Sequence, residues 1–166
     1  MTKSVCCFTG HRQLNKAEED LIAARLTGTI REIIRLGINT FLTGGALGFD
    51  TICALAILNC KKEFPDIKHV LVLPCQNQTR HWNEDDIKKY NLILKKADKV
   101  IYTSKNYFNG CMHKRNRFLV DNSGVCICYL KKRYGGTFYT VNYAEKIGIK
   151  IINLAADSPN LQKPLW

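Results

Sequence analysis

Six short runs of the 166-residue chain are nearly continuous in hydrophobic residues: Val5–Phe8, Thr40–Leu42, His69–Leu73, Lys99–Tyr102, Val125–Tyr129 and Lys150–Asn153. Runs of this length without polar alternation predict strands covered on both faces. Between them the apolar positions recur at helical spacing. The clearest case runs from about Ala17 to Leu36, with Ile22, Leu26, Ile30, Ile33 and Ile34 on one stripe and Gly37 as its stop. Further helices are predicted over Thr51–Lys62, Asp85–Lys96, Met112–Asp121 and Thr137–Ile147. Strict alternation of strand and helix implies right-handed crossovers and an α/β three-layer sandwich around a mostly parallel sheet. One domain is expected over residues 1–154, followed by an irregular tail over 155–166 that carries Pro159 and Pro164.

Composition narrows the setting. A hydrophobic content of 46% at this length supplies a real core. No apolar run approaches the roughly 18 residues of a membrane span. The chain enters its first strand almost at once, which predicts no signal peptide and a cytoplasmic protein. The eight cysteines suit a reducing compartment. Most lie inside apolar runs (Cys6, Cys7, Cys53, Cys60, Cys126, Cys128), where a thiol acts as a small hydrophobe. No second Cys or His pair stands at zinc spacing, so no metal site is expected. The formal charge of +11 is spread along the chain, in clusters such as Lys61-Lys62, Lys88-Lys89 and Lys131-Lys132-Arg133. Such a surface attracts nucleic acid and small phosphorylated ligands alike.

In parallel sheets ligands bind beyond the carboxyl ends of the strands, and the unusual residues of this chain follow its strands. After the first come Thr9, Gly10, His11 and Arg12, a tight exit with two donors for an anion. After the second comes Thr43-Gly44-Gly45-Ala46-Leu47-Gly48-Phe49-Asp50, a glycine turn entering a helix, whose free amides suit a phosphate. Pro74 ends the third strand, with Gln78 and Arg80 as ligand or rim residues and Trp82 expected to pack into the core. Arg115 shares a helical face with Met112 and Leu119. An arginine turned inward needs an anion, either Asp121 or a ligand phosphate. After the fifth strand, Gly135-Gly136-Thr137 opens a helix beside Lys132 and Arg133. This is the stronger phosphate candidate, although Thr137 also reads as a simple N-cap.

Taken in order, Thr9-Gly10-His11-Arg12, Thr43–Asp50, Pro74-Cys75 with Gln78 and Trp82, Lys114-Arg115-Asn116-Arg117 and Gly135-Gly136-Thr137 resemble the YpsA-like family of the SLOG superfamily. That superfamily also contains the LOG phosphoribohydrolases and DprA. The resemblance covers about Val5 to Leu154 and implies a Rossmann-like fold with a nucleotide pocket at the carboxyl edge. It implies a sensor or regulator in bacterial or phage physiology, acting as a homo-oligomer and binding a ligand such as AMP, ADP-ribose or NAD. Gly135, Gly136 and Thr137 would hold its phosphate, with Gly44, Gly45 and Asp50 on the opposite wall. LOG-type cleavage of nucleoside 5′-monophosphates is the enzymatic alternative. The LOG motif, however, places a glutamate soon after Gly-Thr, whereas this chain reads Thr137-Phe138-Tyr139-Thr140-Val141-Asn142-Tyr143 with no carboxylate until Glu145. A catalytic set would then fall to Arg115 with Asp50 or Asp121, because the charge developing on the ribose needs a carboxylate. A DprA-like single-strand nucleic-acid binder, stacking bases on Tyr107, Phe108 or Trp82, is the third expectation.

Overall fold

The computed structural model describes residues 4–156, so the expected tail from Asp157 to Trp166 lies outside the described residues. The elements follow in strict alternation: β1 (Val5–Gly10), α1 (Lys16–Arg35), β2 (Thr40–Thr43), α2 (Phe49–Cys60), β3 (Lys68–Leu73), α3 (Glu84–Lys96), β4 (Lys99–Tyr102), α4 (Cys111–Asp121), β5 (Val125–Tyr129), α5 (Gly136–Ile147) and β6 (Lys150–Asn153). Every strand pairing is parallel, in the order β4-β3-β2-β1-β5-β6. The chain therefore builds outward from β1 to β4, returns across the sheet and continues from β5 on the other side of β1. With right-handed crossovers, this puts α1, α2 and α3 on one face and α4 and α5 on the other.

Side-chain alternation along each strand divides the core accordingly. Cys6 and Phe8 of β1, with Val125, Ile127 and Tyr129 of β5, pack against Ile22, Leu26, Ile30 and Ile33 of α1 and against α2. Cys7, Cys126 and Cys128 face the opposite way, onto Leu119 and Val120 of α4 and Val141 and Ala144 of α5. Leu71 and Leu73 of β3 meet Tyr90 and Ile93 of α3, and Trp82 packs there, edge-on to Tyr90, as its sequence context predicted. All eight thiols are buried and free.

The helix ends reflect local chemistry. Asn15 caps α1 in a capping box with Glu18, and the Asn83 side chain accepts from Asp86 N–H (2.8 Å) at the start of α3. At the far end of the fold, Arg25 of α1 donates to the carbonyls of Leu154 (2.6 Å) and Ala156 (2.7 Å). One boundary differs in a way that matters. Thr9 and Gly10, expected in a turn, are the last residues of β1 and pair with Cys128 and Tyr129.

Inside the sheet, His69 of β3 is fully buried and shares a hydrogen bond with the Thr43 hydroxyl through Nε2 (2.7 Å). Its backbone N–H donates to Asp98 (2.8 Å), which is also paired with Lys61 (2.5 Å), while His69 Nδ1 has no partner. Burial pulls the imidazole pKa from 6.5 down to about 4, with Asp98 opposing that shift. Because the folded value lies below the unfolded one, the unfolded chain takes up the proton first as the pH falls. Stability contributed here is complete above pH 6.5 and is lost progressively down to about pH 4. The loss should reach about 3 kcal/mol. Denaturant titrations across that range check this: the wild type should lose stability more steeply than His69→Leu, whose curve should be flatter by about that amount.

Candidate functional site

A cavity of about 360 Å³ opens where β1 and β5 lie side by side and the direction of sheet growth reverses. This is the switch point at which parallel α/β sheets accept ligands. Its walls come from the end of β1 and the following loop (Thr9, Gly10, His11, Arg12), the β2–α2 turn (Ala46, Asp50), α4 (Met112, His113, Arg115, Asn116) and the β5–α5 turn (Lys132, Tyr134, Gly135, Gly136, Thr137).

The interior centres on two opposite charges. Arg115 and Asp50 are both buried, at 2% and 7% exposure. Arg115 Nη1 donates to the Gly44 carbonyl and Nε donates to Asn116 Oδ1 (2.8 Å), while Asp50 Oδ2 accepts from Ala46 N–H (3.2 Å). Burial pushes the Asp50 carboxyl upward, opposed by the Arg115 charge, the Ala46 amide and Arg12. Burial likewise pulls the Arg115 guanidinium down, with Asp50 as the main opposing influence. Gly44 separates the two side chains: a Cβ there would lie 2.8 Å from both Arg115 Nη1 and Asp50 Oδ2.

The β2–α2 turn thus differs from the anion cradle its sequence suggests. Its donors are used internally, Ala46 N–H by Asp50 and Phe49 N–H by the His11 carbonyl (3.2 Å). Asp50 occupies the place of the anion. Gly44 and Gly45 do not line the cavity but brace it, since the Gly45 carbonyl accepts from Gln78 Nε2 (2.5 Å). Gly10 has a different purpose from the tight exit expected of it. A Cβ there would drive into the ring of Phe49, so the glycine admits the first residue of α2 against β1.

The β5–α5 turn keeps its donors free of side chains. Gly135 is the N-cap, with φ of 90°, and no side chain caps the helix. The first intrahelical bond runs from Tyr139 N–H to the Gly135 carbonyl (3.0 Å), so the amides of the preceding turn point outward with the positive end of the helix dipole. Thr137 is buried in the first turn and does not act as the cap. His11 stands beside this turn. Its Nε2 accepts from Lys131 N–H (3.0 Å), and burial with the nearby Lys132 and Lys131 charges lowers its pKa. Neutral His11 then carries its proton on Nδ1, leaving a single ring donor.

Pro74, Gln78, Arg80 and Asp121, all proposed from sequence, lie elsewhere, Arg80 beside Gln78. Pro74 is buried at the end of β3. Gln78 lines a neighbouring hollow. Asp121, at the far end of α4, accepts from the Tyr143 hydroxyl (2.6 Å) and lines a separate groove with Arg117 and Tyr139. Arg115 turns inward as its spacing implied, but it donates to the Gly44 carbonyl and Asn116, with the Asp50 charge nearby, rather than to Asp121. Conversely, His113 and Tyr134 join the cavity without having been singled out, and so do Met112 and Asn116, named from sequence only as neighbours of Arg115. Met112 lies three residues before Arg115 and four before Asn116, so the stripe through Met112 finds both. Tyr134 carries no periodic signal.

A family model described as the YspA SLOG family (YpsA) matches residues 6–152. The SPbeta prophage-derived protein YoqJ of Bacillus subtilis is 29% identical over 118 residues, covering 64% of this chain and 69% of YoqJ. DNA processing protein A (DprA) from Streptococcus pneumoniae aligns with a TM-score of 0.64 at 16% identity, over 88% of this chain. This chain spans 48% of that protein's length. DNA processing protein A from Helicobacter pylori, described as having a unique single-stranded DNA binding mode, aligns at 0.63 and 18% identity, over 89% of this chain and 63% of its own. These structural likenesses concern the fold.

Two glycine substitutions separate packing from open space in this site. Gly44→Ala should destabilise by about 1–3 kcal/mol through overpacking against the buried charges. Gly136→Ala, with nothing within 4 Å of the added carbon, should stay within about 0.5 kcal/mol of wild type. Equilibrium urea unfolding of both variants measures the contrast.

Proposed function

Because this chain belongs to the YpsA family of SLOG proteins, whose model spans the whole of the cavity-forming sequence, we propose that it is a nucleotide-binding sensor or regulator. The observation carrying this reading is the charge and donor inventory of the switch-point cavity. Arg12, Arg115 and Lys132 line it, with Asp50 as the one carboxylate among the described lining residues. The α5 amides add a dipole end that no side chain neutralises. An interior of this kind favours a phosphate. Gly135, Gly136 and Thr137 would hold it, and Asp50, already fixed by Ala46 N–H, would accept from ribose hydroxyls. AMP, ADP-ribose and NAD are the ligand candidates of this class. The likeness to a prophage-derived protein supports a place in bacterial or phage physiology.

A second reading is N-glycosidic hydrolysis of a nucleoside 5′-monophosphate. It is favoured by Asp50, a carboxyl whose pKa burial raises against the opposing Arg115 charge. Such a group suits proton transfer or stabilisation of developing positive charge. Single-strand nucleic-acid binding rests on the likeness in fold to DprA and on the net charge of +11. Attraction of that origin should fade as salt is raised.

Thermal unfolding with AMP, ADP-ribose and NAD at matched ionic strength tests the main reading. A ligand at a hundredfold excess over its dissociation constant should stabilise the wild type by about 2.7 kcal/mol. Gly136→Asp should fold normally, since an acidic residue suits a helix N-terminus, yet lose that stabilisation because its carboxylate takes the phosphate position. A folded Gly136→Asp protein that retains the shift refutes the assignment. Chromatography of nucleoside monophosphates after prolonged incubation tests turnover. Release of free base by wild type and its loss in Asp50→Asn would establish the hydrolase instead.

A further inference from the structure

Beyond Met112 lies a second hollow, of about 440 Å³, lined by Asn77, Gln78, Arg80, His81, Tyr107 and Met112. Met112 is common to both spaces, and its Sδ lies 3.9 Å from Arg115 Nη2, so one side chain forms the partition between them. Two features of the hollow are unexplained by folding. Tyr107 sits on its wall with 63% of its surface exposed, a large ring that contributes little to the core. Gln78 has a buried amide oxygen, Oε1, without a hydrogen-bond partner. Its orientation is fixed, because Nε2 donates to the Gly45 carbonyl and a flipped amide would set two acceptors against each other. The oxygen is therefore a buried acceptor without a donor, on a side chain that lines the hollow.

We propose that this hollow is the base-binding subsite of the ligand whose phosphate occupies the main cavity. The proposal rests on the nucleotide reading above and adds where the base goes and what recognises it. Tyr107 offers a flat face for stacking a planar heterocycle. Gln78 Oε1 accepts from a ring or exocyclic N–H of that base, which selects for bases presenting such a donor there. Arg80 and His81 close the rim. The ligand crosses over Met112, whose unbranched thioether adapts to the ribose passing above it.

The experiment compares ribose 5-phosphate with the four common nucleoside 5′-monophosphates by isothermal titration calorimetry, on wild type, Tyr107→Ala, Gln78→Met and Gly136→Asp. Ribose 5-phosphate reads the phosphate site alone. In the wild type at least one nucleotide should bind about tenfold or more tightly than ribose 5-phosphate, as one stacked base provides. Tyr107→Ala removes an exposed side chain and should erase most of that advantage while leaving ribose 5-phosphate affinity within about twofold. Gln78→Met, checked for unchanged thermal unfolding, should reduce the advantage and flatten the preference among bases. Gly136→Asp should weaken every ligand. If the nucleotide advantage survives both Tyr107→Ala and Gln78→Met, or no nucleotide exceeds ribose 5-phosphate, the subsite is wrong and the phosphate reading stands. If the wild type binds neither sugar phosphate nor nucleotide, both fall together.

Discussion

Arg115 and Asp50 are buried beside the same glycine turn, carried by helices on opposite faces of the sheet, and each charge lowers the cost of burying the other. Moving an ion out of water costs several kcal/mol even after relaxation, and only an opposite charge with further hydrogen bonds recovers it. Here the recovery is distributed: the Gly44 carbonyl and Asn116 serve the guanidinium, and Ala46 N–H serves the carboxylate. That requirement fixes the rest. Gly44 must lack a side chain so that both groups approach its backbone, the β2–α2 turn must present its carbonyl inward, and α4 must cross at the height that delivers Arg115. Arg115 thus ties α4 to the β2–α2 turn through the Gly44 carbonyl, across a sheet that otherwise keeps the two apart.

The same arrangement explains an asymmetry among the helix starts at this edge of the sheet. Asparagine side chains close α1 and α3. At α2, which has a glycine N-cap and no capping side chain, the Phe49 N–H donates to the His11 carbonyl, while Asp50 takes the Ala46 N–H of the preceding turn. Both α4 and α5 start on a glycine N-cap with no capping side chain, and first-turn residues of both line the cavity. Positive potential is therefore gathered at this cavity by withholding ordinary capping residues, while the many surface lysines contribute a diffuse background.

Much of this was legible in the residues. Strands announce themselves as unbroken apolar runs, and all six lie within two residues of where those runs fall. The edge strands β4 and β6 are less covered than their runs suggest, and β4 leaves Lys99 and Tyr102 exposed. The glycine turns and Arg115 were equally visible as exceptions to their surroundings. What was not legible depended on distant contacts. Gly10 reads as a turn glycine until Phe49 is seen against it, and Asp50 reads as a free ligand group until its bond to Ala46 is known. Asp121 and Arg115 share a helix, yet six residues of rise carry the carboxylate to another groove. Tyr134 enters through a loop, where no periodicity tells one side of the chain from the other.

The meeting of Gly10 with Phe49 has a consequence for how such a chain can change over time. The two positions occupy one volume, so they do not drift independently: a larger residue at position 10 is open to a lineage only after position 49 has become smaller. Because Phe49 begins the helix that carries Asp50, a step taken in the wrong order displaces the acidic group along with the ring. Alteration of the pocket is therefore channelled toward the β5–α5 loop and the α4 residues other than Arg115, whose side chains can be exchanged one at a time.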